Sequence, residues 1–189
     1  LLAINLYSYV KNPFTAEAKF NFDLFRTHVG KAMRMMDDII DLELEKVELI
    51  INKVAQDPEE EEIRRVEYEL WQKIKDMALK GRRTGLGITA EGDMLAALGL
   101  RYGSDEAIEF AVSVHRTLAV EAYRASVKMA QERGAFPIYD TAREKCNPMI
   151  ERLKEADPEL HAEMEKHGRR NIAMLTIAPT GTTSLMSQT

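Results

Sequence analysis

The residues best suited to chemistry lie near the end of the sequence, at Thr180-Gly181-Thr182-Thr183-Ser184. These five small residues, four of them hydroxylic, follow Pro179 and lead into Leu185-Met186, which reads as the start of a helix. The first N–H groups of an α-helix lack intrahelical acceptors, and the helix dipole favours negative charge beside them. Such a turn can aim N–H and O–H donors at an anion, and Gly181 lets a phosphate approach the backbone closely. It is not a Walker loop, because no Gly-Lys-Ser/Thr occurs. An ordinary Ser/Thr N-cap after a strand accounts for the same residues, so composition alone leaves both readings open.

A second constellation is Asp37-Asp38-Ile39-Ile40-Asp41, which sets three carboxylates on nearly one side of a helix. Its form resembles the magnesium–diphosphate motif of isoprenyl diphosphate synthases, and hard cations take oxygen ligands. On that reading the chain is a magnesium-dependent prenyl diphosphate synthase acting through Asp37, Asp38 and Asp41. Those enzymes use a second acidic motif on a facing helix, and none is present here. A solvated acidic face is therefore the plainer expectation. Gly85-Leu86-Gly87 lacks the third glycine of a dinucleotide fingerprint, so close packing of strand against helix explains it more simply. Cys146, His161 and His167 have no standard metal-ligand spacing, so no metal site is assigned. Cys146 reads as a surface thiol, and His28 and His115 read as packing residues of helices.

Helical periodicity must position most of these groups. Met33, Met36, Ile40, Leu44, Val47, Ile51 and Val54 recur at spacings of three and four, as one apolar stripe. Asp57-Pro58 stops it, and Ile63, Val66, Leu70, Ile74 and Met77 form a second stripe ending at Gly81. The two read as a helical hairpin over 31–80 with both stripes in the core. Strands are expected at 84–90 and 171–178, the latter short-branched and apolar as if buried on both faces. A helix over Asp93–Leu98 follows the first strand. Ser104 is expected to cap a long helix ending at Gly134, with Ile108, Ala111, His115, Leu118, Ala122, Ala125 and Met129 on one face. Two shorter helices are expected between Thr141 and His167. The class is α/β with helix in excess.

Composition narrows the function. The 189 residues carry 26 Lys and Arg against 31 Asp and Glu, a net charge of −5, which argues against bulk-charge binding to nucleic acid or membranes. One cysteine permits no internal disulfide and fits a reducing cytoplasm. No apolar run is long enough to span a bilayer. The chain begins Leu1-Leu2-Ala3 without Met and stops after an apolar, Thr-rich stretch, so it reads as a segment from within a larger chain.

The block Arg169-Arg170-Asn171-Ile172-Ala173-Met174-Leu175-Thr176-Ile177-Ala178-Pro179-Thr180-Gly181-Thr182-Thr183-Ser184 closely resembles the large, catalytic subunit of ribonucleotide reductase. Three further blocks support that family in the same order: Leu1–Leu6, Arg82–Thr89 followed by Asp93-Met94-Leu95-Ala96, and the helix from Ala119 to Phe136. Ala90-Glu91-Gly92 departs from the Gly-Leu-Ala more frequent in the family. Asn5–Val10 and Thr84–Thr89 look more like the adenosylcobalamin-dependent class II enzymes than the diiron ones. The resemblance implies that residues 1–189 are part of a ten-stranded α/β catalytic barrel. It implies reduction of ribonucleotides by thiyl-radical chemistry, with adenosylcobalamin as cofactor and a thioredoxin-type reductant. A cytoplasmic homodimer is implied for the full-length protein. Carried onto this chain, Thr180, Gly181, Thr182, Thr183 and Ser184 would bind the substrate phosphates. The radical and redox cysteines would lie upstream of Leu1, so the isolated chain is expected to be inactive. A non-catalytic helical interaction module built on the 31–80 hairpin is the remaining alternative.

Overall fold

Local caps and apolar periodicity set most of the architecture in the computed structural model, which describes residues 1–189. Helix α1 (Phe22–Val54) begins where the Asn21 side chain accepts from the Leu24 N–H, well before Lys31, where the repeat first becomes regular. Helix α2 (Glu61–Gly81) returns antiparallel to it and ends on Arg82, whose φ of 45° is left-handed. Helix α3 (Glu91–Ala97) is short. Helix α4 (Asp105–Arg133) is capped by Ser104, whose side chain accepts from the Ala107 N–H, and is stopped by Gly134 at φ 87°. Three short helices follow where two were expected: α5 (Thr141–Glu144), α6 (Pro148–Ala156) and α7 (Pro158–His167). Helix α8 (Gly181–Ser187) ends the chain.

The α1 stripe is core, as periodicity predicts: Met33, Met36, Ile40, Val47, Ile51 and Val54 are buried. The α2 stripe is not. Ile63, Val66, Leu70, Ile74 and Met77 are all exposed, which corrects the expectation that both stripes face inward. The half-buried positions of α2 are instead Arg64, Trp71, Gln72, Lys75, Ala78 and Lys80, and Lys75 pairs with Glu48 of α1. Helix α1 is the one element that packs extensively on α2. On α4, Leu118, Ala122 and Met129 are buried as expected, but Ile108 is exposed. The buried face turns toward Ala107, Val114, Tyr123, Ser126 and Val127.

Two small sheets complete the fold. Strand β1 (Leu2–Asn5) pairs in parallel with β4 (Leu86–Thr89), Leu2 opposite Leu86. Strands β2 (Val10–Lys11) and β3 (Lys19–Phe20) form a minimal antiparallel pair. The expected strand over 84–90 is thus β4. The one expected over 171–178 is reduced to a parallel bridge between Leu86 and Leu175. It nonetheless runs along β4, with Thr84 N–H donating to the Ala173 carbonyl, Leu86 N–H to that of Met174, and Thr176 N–H to that of Leu86. Regular pairing fails nearer its start because the Arg169 guanidinium donates to the carbonyls of Asn171 and Ile172. The layer order is therefore β1, β4, then the 172–176 segment, all parallel, with helices α1, α4, α6 and α7 contributing to the same core.

Gly87 is required by this layer. A Cβ built there would lie 2.6 Å from the carbonyl oxygen of Thr176, and one at Gly85 would lie 2.5 Å from Leu1 Cδ2. The glycines therefore admit neighbouring strands, not a helix. Gly87→Ala is expected to cost about 1–3 kcal/mol, the usual penalty for overpacking, because a backbone atom must move. A lowered denaturation midpoint checks this.

Candidate functional site

The Thr180–Ser184 turn sits at the carboxyl end of the 172–176 segment, where Pro179 ends the extended run. Thr180 takes a left-handed conformation at φ 54°, unusual for a β-branched residue, and turns the chain into α8. Ser184 N–H donates to the Thr180 carbonyl at 2.7 Å, the first closed bond of α8. The amides of Gly181, Thr182 and Thr183 precede that bond, so they are the unpaired donors of a helix start. Thr182 and Thr183 are exposed, and nothing lies within 4 Å of where a Gly181 Cβ would stand. Ser184 is used differently: its hydroxyl donates to the Gly181 carbonyl at 2.7 Å and holds the turn together.

Thr180, Gly181, Thr182 and Thr183, but not Ser184, line a cleft of about 270 Å³ with Leu1–Ala3, Gly87, Ile88 and Thr176. No charged side chain lines it. An anion held there would be met by backbone N–H groups and hydroxyls rather than by a counter-ion. The close approach of Thr176 to Gly87 fixes the strand that delivers the turn to the cleft.

The three aspartates pair with arginines, which corrects the magnesium expectation for all of them and the solvated expectation for Asp37, while Asp38 stays exposed and Asp41 half-exposed. Asp37 is fully buried, not solvated. Its Oδ1 accepts from Arg82 Nε at 2.8 Å and from Asn171 Nδ2 at 3.0 Å; its Oδ2 accepts from Arg133 and Arg170, each at 3.3 Å. Asp41 pairs with Arg82 and Asp38 with Arg133. Their oxygens are thus spent on guanidinium groups instead of converging on a cation, so the prenyl diphosphate synthase reading has no support. Burial alone would raise the Asp37 pKa, but the hydrogen bond and charge of Arg82, then Arg170 and Asn171, hold it below the usual carboxylate range.

Asn171 completes the cluster. It donates to Asp37 and to the Arg82 carbonyl, accepts from the Ser126 hydroxyl, and its own N–H donates to Ser126 Oγ. Arg169, nearly buried, pairs with Glu144 at 2.9 Å and lies over the rings of Tyr123, Phe136 and Tyr139. Helices α1, α2, α4 and the start of the strand that ends in the turn are therefore tied at one buried point. Sequence reasoning missed this point. The available signal was the pair Arg169-Arg170 placed directly before an apolar run, since charges entering a core need buried partners.

The remaining candidates do not gather. His28 Nδ1 and the Tyr9 hydroxyl are 3.0 Å apart, and His115 Nε2 lies 3.1 Å from Glu91. His161 and His167 each lie beside a glutamate one turn away, and Cys146 is exposed. No helix is long and apolar enough to cross a membrane.

A parallel strand layer backed by helices, opening into a cleft at a hydroxyl-rich strand-to-helix turn, places the chain among α/β proteins. The particular family follows from comparison: the model for the ribonucleotide reductase barrel domain matches residues 1–189, and the chain belongs to that family. It is 29% identical over 174 residues to the vitamin B12-dependent ribonucleoside-diphosphate reductase of Mycobacterium tuberculosis (strain CDC 1551 / Oshkosh), covering 92% of this chain and 19% of that protein. It is 30% identical over 187 residues to the enzyme of the same description from Thermoplasma acidophilum, covering 98% and 18%. The ribonucleoside-diphosphate reductase subunit alpha of Chlamydia pneumoniae is 27% identical over 201 residues, covering 96% and 16%. The chain thus spans less than a fifth of the length of these relatives.

Proposed function

We propose that the full-length protein containing this chain is a ribonucleoside-diphosphate reductase, and that Thr180–Ser184 holds the substrate's phosphates. The observation that carries this reading is the run of unpaired amides at Gly181, Thr182 and Thr183 beside a cleft lined by hydroxyls and no charged side chain. In it the amides and the hydroxyls of Thr180, Thr182 and Thr183 meet phosphate oxygens, while Ser184 braces the turn. The three parallel strand segments are read as part of the ten-stranded catalytic barrel, the other strands coming from the rest of the protein. Fixing the phosphates orients the ribose relative to the reacting groups, which is the chain's contribution to rate.

Adenosylcobalamin is assigned to the full-length protein because the relatives are described as vitamin B12-dependent. It supplies the radical chemistry when bound. No residue of this chain is assigned to it. Cys146 is exposed and outside the cleft, and the thiyl-radical and redox cysteines are assigned elsewhere in the polypeptide. On this reading the isolated chain does not turn over substrate. The full-length protein works as a cytoplasmic homodimer served by a thioredoxin-type reductant.

The full-length protein, given a ribonucleoside diphosphate, adenosylcobalamin and a dithiol, is expected to release the deoxyribonucleotide. No product from folded protein under those conditions would sink the assignment.

A further inference from the structure

We propose that α2 is a self-association helix, pairing antiparallel with α2 of a second copy of this chain through Ile63, Val66, Leu70, Ile74 and Met77. These five side chains recur at spacings of three and four, the pattern of a helix with one face to bury. They are between 37 and 60% exposed, although α1 already packs on α2. That packing uses other positions, with Lys75 bonded to Glu48, so the stripe is not needed to hold the hairpin. A repeated apolar face left open in this way marks an interaction surface.

The charges beside the stripe select the occupant and its direction. At 3.6 residues per turn, Glu62, Glu69, Lys73 and Lys80 fall within about 40° of one another, along one flank of the stripe. The acids occupy the amino-terminal half of that flank and the lysines the carboxyl-terminal half. In a parallel pair this flank would face the partner's opposite flank, so these acids and lysines would not meet. An antiparallel copy, related by a two-fold axis near residue 71, sets Glu62 against Lys80 and Glu69 against Lys73 in one register. Each pair then occurs twice, as an isologous interface requires. In the single chain Lys73 and Glu62 have no ion-pair partner. Glu69 and Lys80 are held only by exposed pairs one turn away, with Arg65 and Asp76. A seam of five side chains per copy is smaller than a standard interface, so the association is concentration-dependent and weakened by salt.

The test mixes unlabelled and ¹⁵N-labelled full-length protein and applies a zero-length carboxyl–amine coupling reagent. The expected products are mixed-isotope peptides joining Glu69 to Lys73 and Glu62 to Lys80. Leu70→Asp, at an exposed position, is expected to reduce them roughly tenfold or more without lowering the denaturation midpoint. Glu62→Lys with Glu69→Lys should do the same, and adding Lys73→Glu with Lys80→Glu should restore them. Absence of mixed-isotope α2 links at the highest soluble concentration overturns the proposal. So do links from α2 only to other segments of the same chain, and so does pairing that survives Leu70→Asp.

Discussion

Asp37→Asn is expected to destabilise the full-length protein by about 3–5 kcal/mol, the usual cost of removing one partner from a buried charge cluster. The amide would leave Arg82, itself 4% exposed, with no buried counter-charge, and Arg133 and Arg170 with weaker acceptors. Asn171 Nδ2 would also lose a charged acceptor at the point where the strand toward the cleft begins. Because Asp37, Arg82, Asn171 and Ser126 share hydrogen bonds, Asp37→Asn and Asn171→Ala together should cost less than their separate effects combined. The pH dependence carries a definite sign. Asp37 has its carboxyl pKa lowered in the folded state, so its stabilisation is complete above the unfolded value of about 3.9 and is lost as pH falls through the folded value. The gap in denaturation midpoint between the parent protein and Asp37→Asn should therefore be constant near neutrality and narrow below about pH 4. A gap that stays constant into that acid range would remove the ionised carboxylate from the account.

That cluster shows where the sequence was legible and where it was not. The stops and starts were readable because they are local: Ser104 and Gly134 act on bonds within a turn of themselves. The α1 core stripe was readable from its period. Which face of α2 meets α1 was not, because Lys75 and Trp71 pack with their long or flat side chains while five better hydrophobes stay outside. Asp37-Asp38-Asp41 misled for the same reason. Spacing places carboxylates on one side of a helix, but only the fold brings Arg82, Arg133 and Arg170 from three distant segments to that side. Strand β1 had no local signal, since its partner β4 lies some eighty residues on. The strand at 171–178 was visible as an apolar run. Its shortening to a bridge depends on the Arg169 guanidinium taking carbonyls that a regular ladder would use.

Thr182→Val and Thr183→Val are expected to raise the KM for a ribonucleoside diphosphate, each by the loss of a hydrogen bond to a charged oxygen worth about 1.5–3 kcal/mol. That is roughly ten- to more than hundred-fold per residue, and it should appear with little change in the folding midpoint. Both side chains are exposed, and Val keeps the shape and β-branching of Thr. If the hydroxyls hold the phosphates equally well before and during the reaction, KM rises while kcat stays near its parent value. Thr182→Ser and Thr183→Ser keep the hydroxyl and should keep most of the affinity. Ser184→Ala separates bracing from contact. Its hydroxyl is bonded to the Gly181 carbonyl, so its removal should loosen the turn and produce a smaller rise in KM, with some loss of stability. The amides of Gly181–Thr183 survive all of these changes, so the double Thr→Val variant should retain weak phosphate-dependent binding rather than none. Unaltered KM in that folded double variant would move the phosphate site away from this turn.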